Sequence, residues 1–215
     1  PPHLNKMKHI ALFLFVAFSA MNITSDISAQ TICDNGFAGE YACDGYDLYT
    51  YFPLSSVGGG DNGNDCWGWV DSESGREFVL FGRSDGMSVV EITDPLAPSF
   101  IANLPTATYP SLWRDIKVIG DYAFIGSEAG MHGMQILDLT QVLDLSGFPF
   151  NITATSNYLG FGNAHNLAAN PETNYVYGVG TNTFGGGLHI VDVSNPEAPF
   201  LAGSYVAHIL MMFSQ

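Results

Sequence analysis

The sequence predicts an all-β protein, a β-propeller-like array of short antiparallel meander blades, incomplete at about three blades plus an N-terminal segment. Three observations lead there. The stretch WRDIKVIGDYAFIGSEAGMHGMQILDLT at 113–140 holds apolar runs at 116–119 and 122–125 around Gly120-Asp121, a dipeptide suited to a tight hairpin turn, and a third run at 134–139 behind the Gly130 to Gly133 reversal. The same pattern recurs at 78–93 (FVLFGRSDGMSVVEIT) and at 175–194 (YVYGVGTNTFGGGLHIVDVS). Outside the N-terminus, no stretch carries a sustained helical stripe, while 24 glycines supply turns.

Two copies end alike, in DPLAP at 94–98 and NPEAP at 195–199. Proline cannot donate to a strand ladder, so each segment is a turn into an outer strand, at 99–104 and 200–205. The middle copy lacks the double proline, and its outer connection, 141–151, is longer.

In chain order, residues 7–29 begin with Lys8 and His9, continue through an apolar run at 10–20 and end in Ser28-Ala29. This is the layout of a secretory signal cleaved near Ala29, with an apolar run too short for a stable membrane span. Residues 1–29 are therefore upstream residues and signal peptide, 30–65 a Cys/Gly/Asn-rich N-terminal segment, 66–208 the partial repeats, and 209–215 an atypical, truncated tail. The product is expected to be secreted or held at the cell surface, with no anchor in this chain. In an oxidising compartment Cys33 and Cys43 can close a short disulfide loop, leaving Cys66 as the odd cysteine. A short amphipathic piece is expected at 46–53.

The formal net charge of −15 excludes nucleic acid and anionic membrane surfaces as partners, because both demand clustered Lys and Arg. Only Arg76, Arg83, Arg114 and Lys117 are basic after residue 29. The loop at 58–65 (GGGDNGND) offers Asp61, Asn62, Asn64 and Asp65 as oxygen donors, so Ca or another divalent ion is the cofactor class it admits. The glycine and bidentate Glu of an EF-hand are missing, and a solvated turn is the simpler reading.

The runs CDNGFAGEYACDGYDL at 33–48, CWGWVD at 66–71, GREFVLFGRSDGMSVVEITDPLAP at 75–98, WRDIKVIGDYAFIGSEAGMHGMQILDL at 113–139, GFGNAHNLAANPETNYVYGVGTN at 160–182 and GGGLHIVDVSNPEAP at 185–199 together resemble the choice-of-anchor B family of exported LVIVD-repeat proteins. That resemblance implies a β-propeller-like repeat domain on an exported or surface-anchored bacterial protein, with the anchor differing between members, and establishes no enzymatic activity. Similar proteins continue past the position of Tyr205 with further repeats.

If each repeat starts with its innermost strand, the first residues of those strands line one mouth of the central channel. Aligning the repeats on Asp94, Asp138 and Asp192 sets Trp67-Trp69, Trp113-Arg114-Asp115 and His165-Asn166 at equivalent starts, with His208 opening the next. The expected ligand-binding ring is Trp69, Arg114, Asp115, His165, Asn166 and His208, with Arg114 able to clamp a carboxylate. Plainer roles stand beside these: Trp67 and Trp69 as packing anchors, Arg114 with Asp115 as an ion pair, His165 and Asn166 as caps of backbone groups, and Glu128, His132 and His189 as solvated or turn-bonding residues.

The function expected is a non-enzymatic binding scaffold for a protein, glycan or small ligand; the alternative is a metal-dependent exported enzyme using His165, His208 and Asp115. Ser127 lacks the context of a nucleophile elbow, and Gly185-Gly186-Gly187 is a hairpin turn rather than a phosphate-binding junction.

Overall fold

Strand pairing in this protein builds three successive meanders whose innermost strands lie side by side. The computed structural model describes residues 30–145 and 149–206. Residues 1–29, expected to hold a signal peptide, His208 and the tail 209–215 lie outside the described residues. No helix among those described is long and apolar enough to cross a membrane.

The N-terminal segment opens on a small hairpin of β1 (Phe37–Ala38) and β2 (Tyr41–Ala42). The expected Cys33–Cys43 disulfide closes it, with Cα atoms 5.9 Å apart, and Cys66 stays free and exposed. A loop this short is worth about 2 to 3 kcal/mol of unfolded-state entropy. Residues 46–53 form no helix: Leu48 exchanges backbone hydrogen bonds with Thr31 at 2.7 and 2.9 Å, and this pairing holds the segment extended.

Blade 1 comprises β3 (Gly63–Val70), β4 (Glu77–Arg83), β5 (Gly86–Glu91) and β6 (Ser99–Pro105). Blade 2 comprises β7 (Arg114–Ile119), β8 (Tyr122–Ser127) and β9 (Met134–Asp138). The long connection after blade 2 first adds β10 (Phe150–Asn151) in parallel to the edge of β6, and then returns as β11 (Ser156–Tyr158) to complete its own blade. Blade 3 comprises β12 (Asn166–Asn170), β13 (Tyr175–Val179), β14 (Leu188–Asp192) and β15 (Phe200–Tyr205). Strands β3, β7 and β12 are neighbours, so the blades stack radially.

The turns follow the local chemistry. Ile119 pairs with Tyr122 across Gly120-Asp121, with Gly120 at φ +57. In both proline turns an Asx side chain closes the corner: Leu96 N–H donates to Asp94 Oδ1 at 3.0 Å, and Glu197 N–H to Asn195 Oδ1 at 3.2 Å. Blades 1 and 3 share a further irregularity, a register shift between Val89 and Val90 and another between Ile190 and Val191. In blade 2 Asp138 instead accepts from Thr140 N–H at 2.9 Å and starts the 3₁₀ turn Leu139–Val142.

Period-two alternation sends each face of blade 2 into a different core. Ala123, Ile125 and Leu137 join Leu80, Val89, Ile101 and Ile116 between blades 1 and 2. Phe124, Met134 and Ile136 join Leu167, Val176 and Val191 between blades 2 and 3. At about 25 cal/mol per Å² of apolar surface, these two cores are the main force holding the blades together. The outer face of blade 1 is crossed by the strap 49–57, which encloses with Val79, Phe81, Val90 and Ile92 an apolar cavity of about 350 Å³.

The strap ends in Gly58-Gly59-Gly60 because the chain there passes over the buried guanidinium of Arg83, which pairs with the partly exposed Asp85. A Cβ on Gly58, at φ +106, would stand 2.8 Å from the Arg83 guanidinium. Arg83 is 1% exposed, with Nη1 2.8 Å from Asp85 Oδ1.

Candidate functional site

The start of each inner strand contributes to one mouth of the stack. A cavity of about 290 Å³ there is lined by Asn64, Asp65, Trp113, Arg114, Asp115, His165 and Asn166. Of the six residues the sequence predicts for this mouth, Arg114, Asp115, His165 and Asn166 meet at it, and His208 lies outside the described residues.

Trp69 does not reach it. That indole sits at the opposite end of β3, 4% exposed, stacked on Phe78 at 5.1 Å and donating from Nε1 to Asp121 Oδ1 at 3.3 Å. It is a packing anchor between blades 1 and 2. The cause is the length of β3, which carries a bulge between Gly63 and Cys66 and so brings Asn64 and Asp65 to the mouth.

Asp65 and Asp115 do the same job on successive blades. Asp65 Oδ2 accepts from the Ile116 N–H of the next inner strand at 2.7 Å, and Asp115 Oδ2 accepts from the Leu167 N–H at 2.6 Å. Hydrogen bonds to a charged acceptor are worth about 1.5 to 3 kcal/mol, so each carboxylate latches one blade to the following one. Asn166 continues the series and donates from Nδ2 to Asp115 Oδ2 at 3.3 Å. Lys117 Nζ bonds to Asp115 Oδ1, lies 3.8 Å from Asp65 Oδ2, and sits over the Trp67 ring at 4.7 Å. Burial and the neighbouring Asp115 hold the Asp65 carboxyl above its usual range. Burial also opposes the Asp115 charge, but the neighbouring Asp65 and the bonds from Lys117 and the Leu167 N–H outweigh it and keep that carboxyl below its usual range.

Arg114 turns its guanidinium away from Asp115 and inward. Nε donates to Arg83 O at 3.0 Å, Nη2 to Ser84 O at 3.4 Å and to Thr106 Oγ1 at 2.9 Å, and Nη1 to His132 Nε2 at 2.9 Å. Burial pushes its pKa down to about 10, which leaves it charged at neutral pH. The bonds engage most of its five N–H groups, so the residue braces the junction of blades 1 and 2 rather than presenting an open fork for a carboxylate.

His132 is fully buried, not solvated. Because arginine can only donate, His132 Nε2 must accept, and the proton sits on Nδ1, which donates to Gly133 O at 3.1 Å. His189 is buried too, held between Tyr158 Oη at 2.7 Å and Thr183 Oγ1 at 2.8 Å. Burial lowers the pKa of both.

At the rim, His165 Nδ1 pairs with Glu128 Oε1, and the half-exposed Trp113 ring lies 6.5 Å from the imidazole. Glu128 is thus more than a turn residue: it orients His165. Sequence reasoning missed Asn64, Asp65 and Glu128 as mouth residues. One signal for Asp65 was present, because Asp65, Asp115 and Asn166 recur at intervals of 115 − 65 = 50 and 166 − 115 = 51 residues.

In the loop offered for calcium, Asn64 Oδ1 accepts from Asp65 N–H at 3.0 Å and its Nδ2 donates to Leu112 O at 3.1 Å, while Asp65 is latched to blade 2. Asp61 N–H donates to Ser84 Oγ at 3.0 Å, and Asn62 O accepts from Ser84 N–H at 2.9 Å. Among the described residues no group of three or more His, Cys, Asp or Glu is placed to hold a metal ion. Ser127 is buried and bonded to Trp113 O and Ala129 N–H, with no exposed hydroxyl.

The LVIVD repeat family model matches residues 113–139 and 162–207. The first segment covers β7 to β9 and the second β12 to β15, so each match starts at the mouth and runs outward through one blade. No curated protein matches the chain.

Proposed function

We propose that this chain is part of a non-enzymatic exported scaffold of the choice-of-anchor B kind, in which stacked LVIVD-type blades present a ligand-binding mouth at the starts of their inner strands. The carrying observation is the mouth cavity itself, where an exposed indole, an oriented imidazole and the Asn166 amide converge. The charged groups beneath are already paired: Arg114 with carbonyls, a hydroxyl and His132, and Lys117 with Asp115. What is left to meet a ligand is a flat aromatic face with an imidazole and an amide beside it, and that suits a small polar molecule. The disulfide and the strongly acidic surface support an extracellular setting.

The test titrates the full chain with a panel of sugars, amino acids and dicarboxylates. Trp113→Ala and His165→Ala are each expected to weaken capture at least tenfold and, since both side chains are half exposed, to leave the unfolding midpoint nearly unchanged. Equal affinity in both variants would overturn the assignment.

A further inference from the structure

A third cavity, remote from the mouth in sequence and in lining, sits in the N-terminal module. It measures about 370 Å³, within the range of small-molecule sites, and its walls include Thr31, Gly39, Glu40, Tyr41, Thr50 and Tyr51. The disulfide and the Thr31/Leu48 pairing pin both ends of this module, so the cavity is formed before any ligand arrives. Tyr41 and Tyr51 are 38% and 58% exposed, yet their rings rest against each other with centroids 5.3 Å apart and planes 35° apart. A chain this well supplied with cores has no packing reason to keep two phenols paired in water.

We propose that this pair is a carbohydrate-binding platform for neutral sugars. The lining contains no Lys, Arg or His. The four basic residues of the described chain are all engaged elsewhere, Arg76 with Glu91, Arg83 with Asp85, Lys117 with Asp115 and Arg114 with the groups named above. An anionic ligand therefore meets no countercharge. An ammonium ion could sit over one ring face beside Glu40, but it would leave the second ring and the Thr31 and Thr50 hydroxyls unused. A pyranose satisfies both walls: its C–H face covers the joined rings, and its hydroxyls reach the Glu40 carboxylate and the Thr31 and Thr50 hydroxyls.

The site is independent of the mouth, and the experiment separates them. Fluorescently labelled full chain is applied to a printed array of neutral, anionic and cationic glycans. Retention on neutral glycans is expected, reduced at least tenfold by Tyr51→Ala and by Tyr41→Ala, kept by Tyr51→Phe, and unaffected by Phe200→Ala, an exposed aromatic that lines neither cavity. No retention on any neutral glycan, retention on charged glycans alone, or retention that survives the Tyr41→Ala/Tyr51→Ala double variant would each overturn the proposal.

Discussion

Replacing Arg114 with alanine is expected to lower the unfolding free energy by about 3 to 5 kcal/mol, the largest effect of any single mouth residue. The guanidinium bonds to the Arg83 and Ser84 carbonyls, Thr106 Oγ1 and His132 Nε2 in a buried junction. Its removal leaves those acceptors without donors, each at about 1 to 3 kcal/mol and not additively. Lysine is no substitute, because a single ammonium cannot reproduce the planar fork, and Arg114→Lys should recover less than half of the loss. Urea unfolding at pH 7.5 reads this as a fall in midpoint at constant slope. A change of under about 1 kcal/mol would mean that the buried fork contributes little to the junction.

Acidification from pH 7 to pH 4 should remove about 3 kcal/mol through His132 alone. Burial and the facing Arg114 push its pKa down to about 4 from an ordinary 6.5, against a smaller upward effect of Gly133 O and Gln135. A depressed histidine is neutral in the native state and protonated first in the unfolded chain. Its stabilisation is therefore complete above pH 6.5 and is lost as pH falls toward 4. Protonation would place a second donor on Nε2, against the Arg114 N–H. His132→Gln keeps an acceptor without a titrating proton and should flatten the stability profile over that window. Asp65, held high, acts in the opposite sense, and His189 in the same sense. Both are common to the two proteins and cancel in the comparison. Parallel profiles for wild type and His132→Gln would remove His132 as the source.

What was legible in the sequence was what local chemistry decides. Gly120-Asp121 suits a tight turn whatever lies around it, and Asp94 and Asn195 close their proline turns with their own side chains. The disulfide followed from loop length and compartment. What escaped depends on contacts far apart in the chain. Strand β10 is two residues long and exists because the edge of β6 is there to receive it. The position of Trp69 turned on a bulge in β3 that no residue there announces. Arg114 lines the mouth cavity, but its direction is set by acceptors from blade 1 and by His132 across blade 2, and neither is visible from its neighbours at 113 and 115.

Amide exchange by NMR, residue by residue, tests the radial latch most directly. Asp65→Ala should accelerate exchange at the Ile116 N–H and leave Leu167 slow, whereas Asp115→Ala should do the reverse. Loss of one charge-assisted bond worth about 1.5 to 3 kcal/mol corresponds to about ten- to a hundredfold faster exchange at the released amide. If both substitutions change the two amides equally, or change neither, the carboxylates do not join successive blades and the stacking described here is wrong.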